Sequence, residues 1–71
     1  MKIYRIEIYG SCDSCTEFWE YFPLTDFYLN KNQAELIFEK IEGLKSREIE
    51  ERIGAYVGGN RPELQEYELI D

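Results

Sequence analysis

The chain has 71 residues, fifteen acidic and eight basic, with a formal net charge of -7, two cysteines and no histidine. That length makes a single domain, 1–71, with a thin core, because a chain of this size buries only about 60% of the surface its unfolded form exposes. The missing histidine excludes an imidazole acid–base, triad or metal site, and the acidic balance excludes direct binding to nucleic acid backbones or anionic membranes.

The charge favours instead a protein partner with a basic surface, such as one whose groove normally holds phosphate, and it also keeps a small protein soluble. Aromatic residues make up 15% of the chain, more than a core of this size obviously requires; the rings either fill a small core efficiently or, some of them, meet a partner. Charged residues interrupt the opening segment, which is therefore not expected to be a signal peptide, and no run approaches transmembrane length. The expected location is the cytoplasm, where a disulfide is disfavoured.

Residues 2–9 alternate, with Tyr4, Ile6 and Ile8 on one side and Ile3, Arg5, Glu7 and Tyr9 on the other, the pattern of a half-buried strand. The second side is amphipathic, so Ile3 and Tyr9 are expected to be partly covered by a loop or a partner. Gly10 and Ser11 read as the strand's end. Residues 12–23 admit a short helix capped by Asp13 or Ser14 and reaching about Tyr21, which brings Cys15, Phe18, Trp19 and Phe22 near one another. They equally admit an irregular lid or hairpin arm. Pro23 disfavours helix beyond Phe22. Residues 24–29 read as a second strand, with Thr25, Phe27 and Leu29 opposite Asp26 and Tyr28.

Residues 30–42 give the clearest helix. Ala34, Ile37, Phe38 and Ile41 fall on one face, Asn30 and Gln33 form a capping-box pattern, and Gly43 can end the run. A second helix follows, with Ser46 as its cap and Glu48 in its first turn. Ile49, Ile53, Tyr56 and Val57 form its apolar face, while Arg47, Glu50, Glu51 and Arg52 meet water. Gly54 either permits close packing there or stops the helix early. Residues 58–62 make a turn. Residues 64–70 form a last strand, whose glutamates suit an edge. The expected fold is α+β: a small three-stranded sheet in the order β-β-α-α-β with the helices packed on one face, a parallel pairing of first and last strands being one arrangement of it.

Cys12 and Cys15 form a Cys-x-x-Cys turn directly after a strand. This opening stretch resembles glutaredoxin-like redox proteins, and the resemblance implies a nucleophilic thiol at Cys12 and a resolving thiol at Cys15. The chain departs from that family in its shortness, in lacking a proline-containing substrate loop, and in placing Asp13 between the thiols. Two thiolates are also half of a structural zinc site. The remaining ligands would then be carboxylates such as Glu17, or cysteines of a second subunit in a homodimer sharing the ion. The preferred reading is simpler: two reduced, partly buried small hydrophobes, with no cofactor required and zinc as the alternative.

Glu17 and Glu20, or Glu35 and Glu39, share helical faces but no predicted cleft, so acid–base catalysis is not indicated and no catalytic residue is assigned. Phosphate-binding and dinucleotide-binding patterns are absent. Lys2 to Tyr4, Asn30 to Glu35 and Glu66 to Leu69 together resemble small uncharacterised acidic α+β proteins of bacteria and their phages. Some of those proteins block host nucleic-acid-binding proteins, so the resemblance implies an inhibitor or a mimic of nucleic acid. The expected function is a non-catalytic protein-binding module. Trp19, Tyr21, Phe22 and Tyr28 are its candidate adhesive contacts, with core as the other reading of Trp19 and Phe22, and Asp13, Glu17, Glu20 and Asp26 surround them. A second acidic face combines Glu48, Glu51, Glu63, Glu66, Glu68 and Asp71. The alternative is a thiol redox or zinc-stabilised domain.

Overall fold

A computed structural model describes residues 1–12 and 18–70. Its organising strand is β1 (Lys2–Cys12). Tyr4, Ile6 and Ile8 point to one face, and the last two are fully buried. β1 does not end at Gly10 and Ser11 as expected but runs to Cys12. Gly10 is a clearance, not a breaker: a Cβ there would lie 2.8 Å from the Tyr56 carbonyl oxygen and 3.3 Å from a Val57 methyl.

Every other strand pairs with β1, always antiparallel. β2 (Trp19–Pro23) runs along residues 7–11, with Ile8 opposite Phe22 and Ser11 opposite Trp19. β3 (Ala55–Tyr56) meets Ser11 and Cys12, and β4 (Glu63–Glu68) runs along residues 2–7. Glu7 pairs with Pro23 on one side and Glu63 on the other, so β1 is central, with β2 on one edge and β3 and β4 on the other. The sheet is thus four-stranded. The α+β class and the terminal strands stand, while the first–last pairing is antiparallel rather than parallel. It is extended past β4 by the Leu69 amide, which donates to the Met1 carbonyl at 2.7 Å.

The second strand occupies residues 19–23, where a helix running to Tyr21 was one expectation, and the expected strand at 24–29 does not form. Residues 24–28 still follow the edge of β1. The Leu24 amide donates to Ile6 O at 2.8 Å, and Tyr28 exchanges both backbone bonds with Tyr4. Between them the Ile6 amide is taken by the Thr25 hydroxyl at 3.2 Å. A side-chain oxygen replaces a backbone acceptor, and the ladder is interrupted there.

α1 (Lys31–Glu42) begins as the sequence predicts, with Asn30 Oδ1 accepting from the Asn32 and Gln33 amides, and Gly43 closes it. Ala34 and Ile41 are buried, Ile37 and Phe38 half-buried, and the helix packs against β1 and β4. α2 (Ser46–Ile53) is capped by the Lys45 backbone, so Ser46 is its first residue rather than its cap. Gly54 adopts φ 67° and stops the helix, the left-handed geometry that suits glycine. Tyr56 therefore belongs to β3 and not to the helix. Val57, beyond it, joins Ile8 and Ile49 in a fully buried cluster flanked by Phe22, Leu24, Leu44 and Ile53. Arg61 donates to the Glu42 and Leu44 carbonyls, tying the β3–β4 turn to the end of α1. The smallest extent of the molecule, 15 Å, accommodates the sheet and one helical layer, and among the described residues no helix lies on the opposite face.

Candidate functional site: the uncovered face of the sheet

Period-two alternation sends Ile3, Arg5, Glu7, Tyr9 and Ser11 to the face opposite the helices. The pairing register adds Trp19 and Tyr21 from β2, Tyr56 from β3, and Glu63, Gln65 and Tyr67 from β4. A face of this size without a covering layer would ordinarily be polar. Here it is aromatic, with Tyr9, Tyr21, Tyr56 and Tyr67 38%, 48%, 50% and 40% exposed.

The rings form two groups. In the first, Tyr9 stacks on Trp19 at 5.7 Å and tilts against Tyr21 at 5.1 Å, and Trp19 meets Tyr56 edge-on at 6.2 Å. The result is a row running Tyr21–Tyr9–Trp19–Tyr56 across three strands, in the offset and edge geometries that ring quadrupoles favour. In the second, Phe27 and Tyr67 lie edge-to-face at 5.9 Å. The Arg5 guanidinium sits 4.4 Å from the Phe27 centroid and 6.0 Å from that of Tyr67.

Glu7 anchors the second group. It is 1% exposed, a costly position for a carboxylate unless it is paired. Its Oε2 accepts from Arg5 Nε at 2.7 Å and from the Tyr67 hydroxyl at 2.6 Å, and Arg5 Nη2 lies 2.7 Å away. These bonds hold the Arg5 guanidinium and the Tyr67 hydroxyl above their ordinary pKa values, the hydrogen bond to Glu7 being the larger cause for each. The Tyr21 hydroxyl is likewise raised, first by the charge of Glu63 and then by a hydrogen bond to it. Ser11, between Trp19 and Tyr56 in the register, is fully buried, and its Oγ has no hydrogen-bond partner among the described residues. Such a hydroxyl costs about 1–3 kcal/mol.

The structure brings only some of the sequence candidates to this face. Trp19 and Tyr21 lie on it. Phe22, expected as an adhesive contact, turns to the helix side and packs against the Ile8–Ile49–Val57 cluster, because it alternates with Tyr21. Glu20 alternates to the same side and is exposed. Asp26 is exposed in the segment after β2, and Tyr28 is half-buried and tied to Tyr4. Glu48 and Glu51 are exposed on α2. Glu66 and Glu68 alternate to the helix side of β4, Glu66 lying 3.5 Å from Lys2, whereas Glu63 faces the aromatic side. Asp13, Cys15, Glu17 and Asp71 lie outside the described residues.

Arg5, Glu7, Phe27, Tyr56 and Tyr67 belong to the face, although the sequence did not single them out as a site; Glu63, expected in the second acidic face, joins them. The alternation of Arg5, Glu7 and Tyr9 was its signal. Cys12 is exposed at the end of β1, and among the described residues no three Cys, Asp or Glu side chains gather as a metal-holding group. An open depression of about 250 Å³ beside Tyr56, lined also by Arg47, Glu50, Glu51, Gly54 and Ala55, is smaller than the roughly 300–1,000 Å³ of typical ligand pockets. Among the described residues no helix is long and apolar enough to cross a membrane. No protein-family model, curated protein or solved structure matches the chain.

Proposed function

We propose that the chain is a non-catalytic protein-binding module whose uncovered sheet face receives a partner with a basic surface. The observation that carries this reading is the row Tyr21–Tyr9–Trp19–Tyr56, on a sheet face that no helix of the described residues covers, in a chain of net charge -7. Tyrosine and tryptophan provide large contact area at low entropic cost and are the commonest interface anchors. The surrounding acids steer a basic partner towards them and repel acidic ones. A basic protein that normally holds nucleic acid fits this chemistry, and blocking its groove is the inhibitory form of the reading. Full mimicry of phosphate rows is a narrower version, in which Glu48, Glu51, Glu66 and Glu68 would also meet the partner.

Affinity capture of partners on the immobilised chain, followed by association kinetics with the purified partner, tests the proposal. The expected partner is a basic nucleic-acid-binding protein whose association slows as salt rises and which nucleic acid displaces. Capture of neutral or acidic proteins, with salt-independent association, would refute the reading.

A further inference from the structure

The two aromatic groups on the uncovered face repeat one arrangement, and comparing them points to what the second one binds. In the Phe27–Tyr67 group, two rings and a carboxylate, Glu7, hold a guanidinium, and the tyrosine hydroxyl donates to that carboxylate. In the Tyr9–Tyr21 group, two rings 5.1 Å apart share their face with a carboxylate, Glu63, which the register sets opposite Glu7 and diagonal to Tyr9. The first arrangement is filled from within the chain by Arg5. In the second, Glu63 forms no ion pair with a basic side chain of the described residues.

We infer that the Tyr9–Tyr21–Glu63 group is the seat of an arginine side chain supplied by a basic partner, its guanidinium lying on the rings and its forked donors on the Glu63 carboxylate. The inference rests on the protein-binding reading and narrows it to one side chain and one subsite. Charge complementarity supports the occupant: the chain carries -7 overall, and both tyrosines are substantially exposed. Arginine rather than lysine is assigned because a planar, weakly hydrated guanidinium stacks on rings and presents a fork to a carboxylate, whereas an ammonium is a compact, strongly hydrated point charge. Arg5 demonstrates that geometry on the same sheet.

The chain's single tryptophan, Trp19, stacks on Tyr9, so its fluorescence reports on the subsite. Hexa-arginine and hexa-lysine peptides of equal charge are titrated into the intact chain at low salt. The expected result is a Trp19 response with affinity about threefold or more higher for hexa-arginine. Glu63→Gln, which preserves shape, should lower the arginine affinity to the lysine level, whereas Glu35→Gln, an equal charge change on exposed α1, should leave the preference intact. Thermal melts of both variants confirm folding. Equal affinity for the two peptides, or equal effects of the two substitutions, overturns the arginine seat while leaving a basic partner in place. Absence of any response to either peptide overturns both readings. A peptide-independent dimer in sedimentation that protects Tyr9 and Tyr21 assigns the face to a second copy and also overturns the inference.

Discussion

Glu7 concentrates more interaction than any other carboxylate described in this chain, since Arg5 and Tyr67 both donate to one oxygen of an almost fully buried group. Removing one partner of a buried pair leaves an uncompensated charge, so Arg5→Leu is expected to lower stability by about 3 kcal/mol in denaturant titration. Tyr67→Phe should cost about 1.5 kcal/mol. The double variant should fall short of the sum, because the two donors share an acceptor. The raised Tyr67 value also sets a pH dependence. A phenol whose folded pKa lies above its unfolded one contributes stability that is complete below the unfolded value of about 10 and is lost as pH rises through the folded value. Tyr67→Phe is therefore expected to make the alkaline fall in stability shallower, as read by melts on either side of that pH. At Gly10, alanine would drive Tyr56 away from β1 and is expected to cost about 2 kcal/mol. Cys12→Ser with Cys15→Ser is expected to leave folding and partner binding largely intact; unfolding together with loss of bound zinc would support the zinc-stabilised alternative instead.

At the level of elements, the helices show how local and tertiary signals divide. α1 was legible almost to the residue because its cap, its stripe and its stop are all local: Asn30 caps it, Ala34 and Ile41 are buried, and Gly43 closes it. Asn30→Ala should cost about 1 kcal/mol in the thermal unfolding midpoint converted to free energy. α2 was legible only in part. Gly54 allowed either a continued or a stopped helix, and the need for a short strand beside Ser11 and Cys12 resolved the choice. Ile49, fully buried against Ile8 and Val57, is the residue through which α2 holds the sheet, and Ile49→Ala is expected to cost about 3 kcal/mol. β2 was the main element misplaced. Residues 24–29 have the composition of a strand, but the Thr25 hydroxyl takes the Ile6 amide, while residues 19–23, aromatic and partly exposed, complete the regular ladder.

For the whole molecule, the decisive property is asymmetry: among the described residues, two helices cover one face of the sheet and none covers the other. The proposed binding of a basic partner by a chain of net charge -7 should be sensitive to ionic strength, because exposed charges interact only within about a Debye length, roughly 10 Å at 0.1 M salt and about 3 Å at 1 M. Raising salt is expected to reduce the association rate more than it raises the dissociation rate.

The sequence by itself determined the α+β class, the net negative charge, α1 with its cap and buried stripe, and the two terminal strands, because composition, periodicity and capping are properties of the chain and of neighbours along it. Only the tertiary structure decided that β1 is central, that Phe22 turns inward while Tyr9, Tyr21 and Tyr56 share one surface, and that Glu7 is buried under Arg5 and Tyr67. Those arrangements depend on strand register and on which face the helices take. A register shift of one residue would exchange the two faces, and no local pattern in residues 12–29 or 54–63 carries that information.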